Sequence, residues 1–217
     1  MALIEIPIFD VFQKGLIRGS VHLPYDPVKA YAYVEHPVEG WRVYLRSCVF
    51  LHESIQSDPS RFLVVKRRGA RWSTATWEPP KGQMEGKELK GSKKSVLELL
   101  KENVLRETEE ESHITEVQQL KHTGLVFQSQ ESDFPRNHYF QYHLFEGILS
   151  QKQIDQSFHT FEWIKEHPKA FARWKRDRRE KDAAAWFDPK VTHLNPRWCT
   201  DIVALYLAEH NKNVIRQ

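Results

Sequence analysis

The chain has 217 residues, 40% of them hydrophobic and 12% aromatic, with only nine glycines; this excludes collagen-like, low-complexity and wholly disordered classes and fits one packed domain. The 32 Lys and Arg against 29 Asp and Glu leave a net charge of +3, too mild to mark a dedicated nucleic-acid binder. Cys48 and Cys199 are too few for a disulfide framework or a four-cysteine zinc site, and no apolar run approaches the roughly 20 residues that span a bilayer, so a cytoplasmic or nuclear protein without a membrane partner is expected.

Residues 1–40 carry one strand pattern, 29–35, and read as an N-terminal extension packed on a domain of 41–217. Further strands are expected at 43–52 and 61–67, rich in Val, Tyr, Phe and Leu and bounded by Pro and Gly. From Ser92 to about Ser112, Val96, Leu97, Leu99, Leu100, Val104 and Leu105 recur at helical spacing among Lys and Glu. Strands are expected again at 114–128 and 138–149. A short strand, 161–164, is then expected to precede a helix from about Pro168 to Ala185, and 198–210 reads as a closing amphipathic helix. Strands interleaved with helices imply an α/β sandwich.

The densest chemistry lies between Trp77 and Ile114. Within Arg106-Glu107-Thr108-Glu109-Glu110-Glu111, Glu107, Glu110 and Glu111 stand at i, i+3 and i+4 and share one helix face. An acidic run alone is more often a solvated face, but like charges at this spacing repel, and the same helix mixes lysines with its acids earlier on. Three carboxylates facing one way suit a hard divalent cation, and Mg²⁺ is commonly held by one or two carboxylates while substrate phosphates complete its shell.

These residues resemble the Nudix box: Gly, five residues, Glu, seven residues, then Arg-Glu-U-x-Glu-Glu-x-Gly-U, with U bulky and aliphatic. Gly82, Arg106, Glu107, Glu110, Glu111 and Ile114 match, and Trp77-Glu78-Pro79-Pro80-Lys81-Gly82 resembles the lead-in. Three departures stand out. Ten extra residues stretch the box, so that Glu88 keeps the spacing from Gly82 and Glu98 keeps the spacing to Arg106; Glu98, on the expected helix, is favoured for the first carboxylate, with Glu88 the alternative. His113 replaces the helix-ending Gly, which predicts a rearranged cap, and Thr108 fills the aliphatic slot.

The resemblance implies a Nudix-like α/β/α sandwich with a mixed sheet, an N-terminal extension and C-terminal helices. It implies Mg²⁺ or Mn²⁺ held by Glu107, Glu110 and Glu111 with the carbonyl near Lys81 or Gly82, Arg106 orienting a neighbouring carboxylate, and hydrolysis of a phosphoanhydride. The base varies across the family, so Glu110, Glu131, Asp133 and Glu162 are all candidates. The implied substrate is a nucleotide, dinucleoside polyphosphate or RNA cap, with an inositol pyrophosphate, or a non-catalytic nucleotide- or RNA-binding role, as alternatives.

On the substrate side, Lys66, Arg67, Arg68 and Arg71 precede the box, and Arg136 and His138 open the strand after residues 128–133. Together with Lys81 they are candidate polyphosphate contacts, equally readable as a solubilising turn. Trp72 and Trp77 are possible base platforms, though core positions are commoner for tryptophan. Residues 171–181 place six Lys and Arg around Trp174 and read as a basic helix, a solvated surface or an RNA contact. No His-x-x-x-His or Cys-x-x-Cys pair points to zinc.

Overall fold

The computed structural model describes residues 7–54, 58–71 and 73–215. Its strands are β1 (Ile17–Leu23), β2 (Asp26–Glu35), β3 (Arg42–His52), β4 (Leu63–Arg67), β5 (Trp77–Glu78), β6 (Lys81–Gln83), β7 (Gln118–Ser129), β8 (His138–Ile148) and β9 (Lys181–Trp186). Its helices are α1 (Gly86–Leu89), α2 (Val96–Ser112), α3 (Gln151–Glu166), α4 (Pro168–Phe171) and α5 (Cys199–Ile215). A six-stranded mixed sheet runs β1-β2-β3-β8-β7, with β6 also on β3, and a second sheet runs β5-β4-β9.

β3 is the axis of this arrangement. One edge pairs in parallel with β8 along its whole length, from Arg42 opposite His138 to His52 opposite Ile148. The other edge is shared: β2 covers Arg42 to Tyr44, and β6 covers Arg46 to Cys48. Both faces are buried, so β3 lacks the apolar-polar alternation of a half-exposed strand. Val43, Leu45, Val49 and Leu51 face a core with Leu99, Leu100 and Val104 of α2 and Phe161 of α3. Cys48 and Phe50 face a second core with Ile202, Val203 and Tyr206 of α5. The Phe50 and Tyr206 rings stack with centroids 3.7 Å apart. Helices therefore cover the two sides of a mixed sheet, which is the expected α/β sandwich.

The N-terminal residues are more than an extension: β1 and β2 form a hairpin that continues the main sheet, and β2 bonds directly to β3. The long helix begins at Val96 rather than Ser92. Ser95 Oγ accepts the Glu98 N–H at 3.2 Å while Glu98 accepts the Ser95 N–H at 2.7 Å, a reciprocal cap that fixes the first turn. At the other end His113 adopts φ 60° and donates its N–H to the Glu109 carbonyl at 3.0 Å. The cap keeps the left-handed turn a glycine would make, with the His113 ring packed 5.0 Å from Phe161.

Two expectations fail in the C-terminal half. Residues 161–164 are helical, inside α3, where Ile154, Ser157, Phe161 and Ile164 form one buried stripe. The helix expected over 168–185 ends at Phe171, and after a 3-10 turn at Asp177–Arg179 the chain enters β9. Three consecutive alanines favour helix locally, but β9 pairs with β4 from Leu63 opposite Trp186, and sheet pairing overrides propensity. Among the described residues no helix is long and apolar enough to cross a membrane.

Leu100, which is fully buried, is expected to cost about 2–5 kcal/mol on replacement by Ala, read as a lower urea midpoint. Leu105→Ala on the same helix, at a side chain 39% exposed, should stay within about 0.5 kcal/mol of the parent.

Candidate active site

The pairing of β6 on β3 sets Gly82 opposite Ser47, and Ser47 Oγ bonds the buried Asn103 of α2 at 2.5 Å. Asn103, midway along α2, also donates to the Gln83 carbonyl of β6 at 3.4 Å, which seats the helix on both strands. At Gly82 an added Cβ would stand 1.8 Å from the Glu107 carboxyl carbon, so only glycine admits Glu107 to this position. Arg106 reaches across the same face. Its Nη1 donates to Glu110 at 2.6 Å, its Nη2 to Glu107 at 2.7 Å and its Nε to Glu88 at 3.4 Å. One guanidinium fork therefore braces three carboxylates, a task suited to its planar donors.

Behind this face lies a buried quartet of charges. Lys181 Nζ is 2.8 Å from Glu111 and also bonds Glu78. Lys81 Nζ is 3.0 Å from Glu78, and the Lys81 backbone N–H donates to Glu111 at 3.0 Å. All four side chains lie mostly inside the protein. Burial alone would raise the Glu78 carboxyl, but Lys181 and Lys81 outweigh it and hold it down at about 2. Glu107 behaves oppositely: burial pushes it up to about 8 against the pull of Arg106, with the charges of Glu111 and Glu110 adding to the rise. Burial also raises Glu110. Glu107 is thus a carboxyl whose local cation does not fully compensate its desolvation.

Two adjoining clefts open here. The first, of 220 Å³, is lined by Asp26, Glu78, Glu85, Glu107, Glu110, Glu111, Asp177 and Glu180 with Lys29, Lys81, Arg176 and Lys181. Its excess is acidic. The second, of 610 Å³, is lined by Arg67, Arg68, Lys81, Arg176, Arg179, Lys181 and Arg197 against Glu78 and Glu180, with Asn195 and Trp198. Its excess is basic. Glu78, Lys81, Arg176, Glu180 and Lys181 belong to both walls.

The structure brings Gly82, Arg106, Glu107, Glu110, Glu111 and Lys81 together. Glu98 is the exception: it is exposed, caps the far end of α2 and does not join them, and Glu88 meets Arg106 instead. The preference for Glu98 over Glu88 therefore fails: the extra residues do form a lengthened connection, from α1 to α2, but Glu98 is held by Ser95 in the first turn of α2, too far from the Arg106 face, while Glu88 folds back onto Arg106. Arg67 and Arg68 line the basic cleft, whereas Arg71 and Arg136 line neither; both are exposed, on loops after β4 and β7. Glu131 is tied by Arg46 at 3.4 Å and Arg197 at 2.9 Å. Glu162 pairs with Lys165 on the surface of α3, and Asp133 is exposed in the β7–β8 loop. Trp77 is 2% exposed in the core, and Trp72 lies outside the described residues. The 171–181 segment is not one basic helix: Arg176 and Arg179 face the clefts, Arg178 pairs with Glu109, and Trp174 packs on Trp163 and His113.

Sequence reasoning missed Glu78, Glu85, Lys29, Asp177 and Arg197 as wall residues, and it named Arg176 and Lys181 only as part of a basic helix. Glu78 carried a signal, its place within the Trp-Pro lead-in. Lys181 carried only its charge, since its strand read as helix.

Among the described residues no group of three or more His, Cys, Asp and Glu side chains is gathered to hold a metal ion: Arg106 draws Glu107 and Glu110 to itself, and Lys181 takes Glu111. The donor chemistry nevertheless fits a hard divalent cation. Glu107 and Glu110 offer carboxyl oxygens that a divalent ion would hold in the ionised form, Glu107 lies in the cradle that a Cβ at Gly82 would fill, and one or two carboxylates are enough where phosphates supply the remaining ligands.

No protein-family model matches the chain, and no curated protein matches it. Among solved structures it is similar to a NUDIX hydrolase from Nitrosomonas europaea, at 14% identity and TM-score 0.44 over 76% of this chain and 89% of that one. A second NUDIX hydrolase structure from N. europaea is 12% identical, with TM-score 0.43 over 91% and 88%. A C. elegans Ap4A hydrolase, solved as a binary complex, is 14% identical, with TM-score 0.40 over 79% and 98%. A likeness of this order is weak, and the chemistry of the site rests on the side-chain geometry of its two walls.

Two outcomes test the site in the metal-free protein. Gly82→Ala should destabilise by about 1–3 kcal/mol through the forced displacement of Glu107, measured by urea denaturation. The second concerns Glu107, whose folded value of about 8 exceeds the ordinary 4.5. The folded state then binds the extra proton between those values, and stability from this group is present below about 4.5 and lost as pH rises to about 8. Glu107→Gln removes the loss, so the variant should gain on the order of 2 kcal/mol relative to the parent between pH 5 and 8.5.

Proposed function

We propose that the chain is a Nudix-type hydrolase that uses Mg²⁺ or Mn²⁺ to cleave a phosphoanhydride bond in a polyphosphorylated substrate. The observation that carries this is the junction of an acidic cleft with an arginine-lined one across the shared residues Lys81 and Lys181. A diphosphate lying across such a junction would meet carboxylates able to share a divalent ion on one side and fixed positive charge on the other.

Glu107 and Glu110, with the carbonyl near Lys81 or Gly82, would hold the ion. When bound, it would neutralise charge on the diphosphate and lower the pKa of a water molecule. The chain's own residues do the rest. Arg106 fixes the Glu107 and Glu110 carboxylates, limiting the rotamer freedom they lose on binding. Glu110 lies half-buried in the cleft wall, where burial raises its carboxyl, and would serve as the base that takes the proton of the attacking water. Arg67, Arg68, Arg176, Arg179 and Arg197 bind the remaining phosphates, where guanidinium groups can contact two oxygens at once.

Among the implied substrates, nucleotides, dinucleoside polyphosphates and the RNA cap share the diphosphate that the junction suits, and an inositol pyrophosphate shares it too. A panel of these with Mg²⁺ or Mn²⁺ is the test. Glu110→Gln should lower kcat by about 10²- to 10⁴-fold, the usual contribution of a general base, while Arg179→Ala should raise KM about tenfold with kcat little changed. Chelation by EDTA should abolish turnover. Ligand binding without turnover across the whole panel would replace the enzyme by a nucleotide-binding module, and turnover unaffected by Glu110→Gln would remove Glu110 from its role.

A further inference from the structure

Lys181 stands on β9, outside the box, yet its ammonium occupies the middle of the acidic wall. Both carboxylates it touches are otherwise engaged. The second oxygen of Glu111 accepts the Lys81 N–H at 3.0 Å, and the second oxygen of Glu78 meets Lys81 Nζ at 3.0 Å and Asn195 Nδ2 at 3.3 Å. Lys181 is itself 5% exposed, so water is a poor substitute partner for any member of the group. Glu111 is therefore already neutralised by a tethered cation, while Glu107 and Glu110 share the single guanidinium of Arg106 with Glu88.

We infer that Lys181 is a built-in cation of the site: a positioning residue whose ammonium holds Glu111 in place of a divalent ion and confines the metal to the Glu107–Glu110 pair. The inference rests on the reading of the cleft as a metal-dependent phosphoanhydride site. A divalent ion at Glu111 would have to displace a buried ammonium and leave it to share Glu78 with Lys81 as its one remaining counter-charge. The same tether keeps a positive charge at the junction of the two clefts when no metal is present, since Lys181 lines both.

The test is a Mn²⁺ titration of the 217-residue chain without substrate, following the electron paramagnetic resonance signal of the free ion. The parent should bind one equivalent, and Glu111→Gln should change its affinity less than threefold. Lys181→Met should bind a second equivalent and show a rise in Tm with Mn²⁺ larger than that of the parent, while Lys181→Arg should behave as the parent. If Lys181→Met does not fold, the charge-balanced pair Lys181→Met with Glu78→Gln takes its place and should also gain an equivalent. A loss of tenfold or more in Mn²⁺ affinity on Glu111→Gln, with the circular dichroism spectrum intact, would overturn the role of Lys181 alone. So would an unchanged single equivalent in both Lys181→Met proteins. Manganese bound by neither the parent nor the Lys181→Met proteins would overturn the proposed chemistry together with it.

Discussion

Glu88, Glu107, Glu110 and Glu111 gather as like charges around the last turns of α2, and Arg106 and Lys181 meet them from different directions. Arg106 reaches from within α2 to Glu88, Glu107 and Glu110, and Lys181 reaches from β9 to Glu111. Neither cation would be in place without the rest of the fold. α2 is held to β3 through Asn103 and Ser47 and to β6 through Asn103 and the Gln83 carbonyl, and β9 is held by its pairing with β4. The charge pattern of the cleft is in this sense a product of the way the two sheets meet.

On the proposed function, the two clefts would divide the work of handling an anion. Guanidinium groups on the basic side would attract phosphate, and the acidic side would repel it unless a divalent ion were present. Ground-state attraction and reactive placement would then fall to different walls, so that affinity for the distal phosphates need not lower the reactivity of the scissile bond. The shared lysines make the boundary narrow, because both walls lean on the same buried ammonium groups.

The box was legible because its logic is local. Gly82, Arg106, Glu107, Glu110 and Glu111 follow from helix periodicity and one close backbone approach, and β3, β8 and α2 announced themselves through long apolar patterns. What stayed hidden depended on pairing between distant segments. Lys181 lay in an alanine-rich stretch that reads as helix until β4 supplies a partner, and Arg197 reached the cleft only through the loop that precedes α5. Choosing between Glu88 and Glu98 turned on a cap: Ser95 and Glu98 start the helix, which places Glu98 at the wrong end for Arg106 and leaves Glu88 to meet it. The strand expected at 138–149 likewise gave no sign that a helix as late as α5 would cover one of its faces.

The connection between α1 and α2 has one more implication. Lys90, Gly91, Lys93, Lys94 and Ser95 are exposed, so the added residues lie outside the wall while Glu88 still reaches Arg106 across them. Linear distance and spatial relation are uncoupled here: a pattern written with fixed gaps breaks at this point, whereas one that allows a surface excursion between the first acid and the arginine would keep the chain in view. Relatives with still longer excursions would be expected to keep the same wall, since what has to be preserved is the pair of anchors and not the path that joins them.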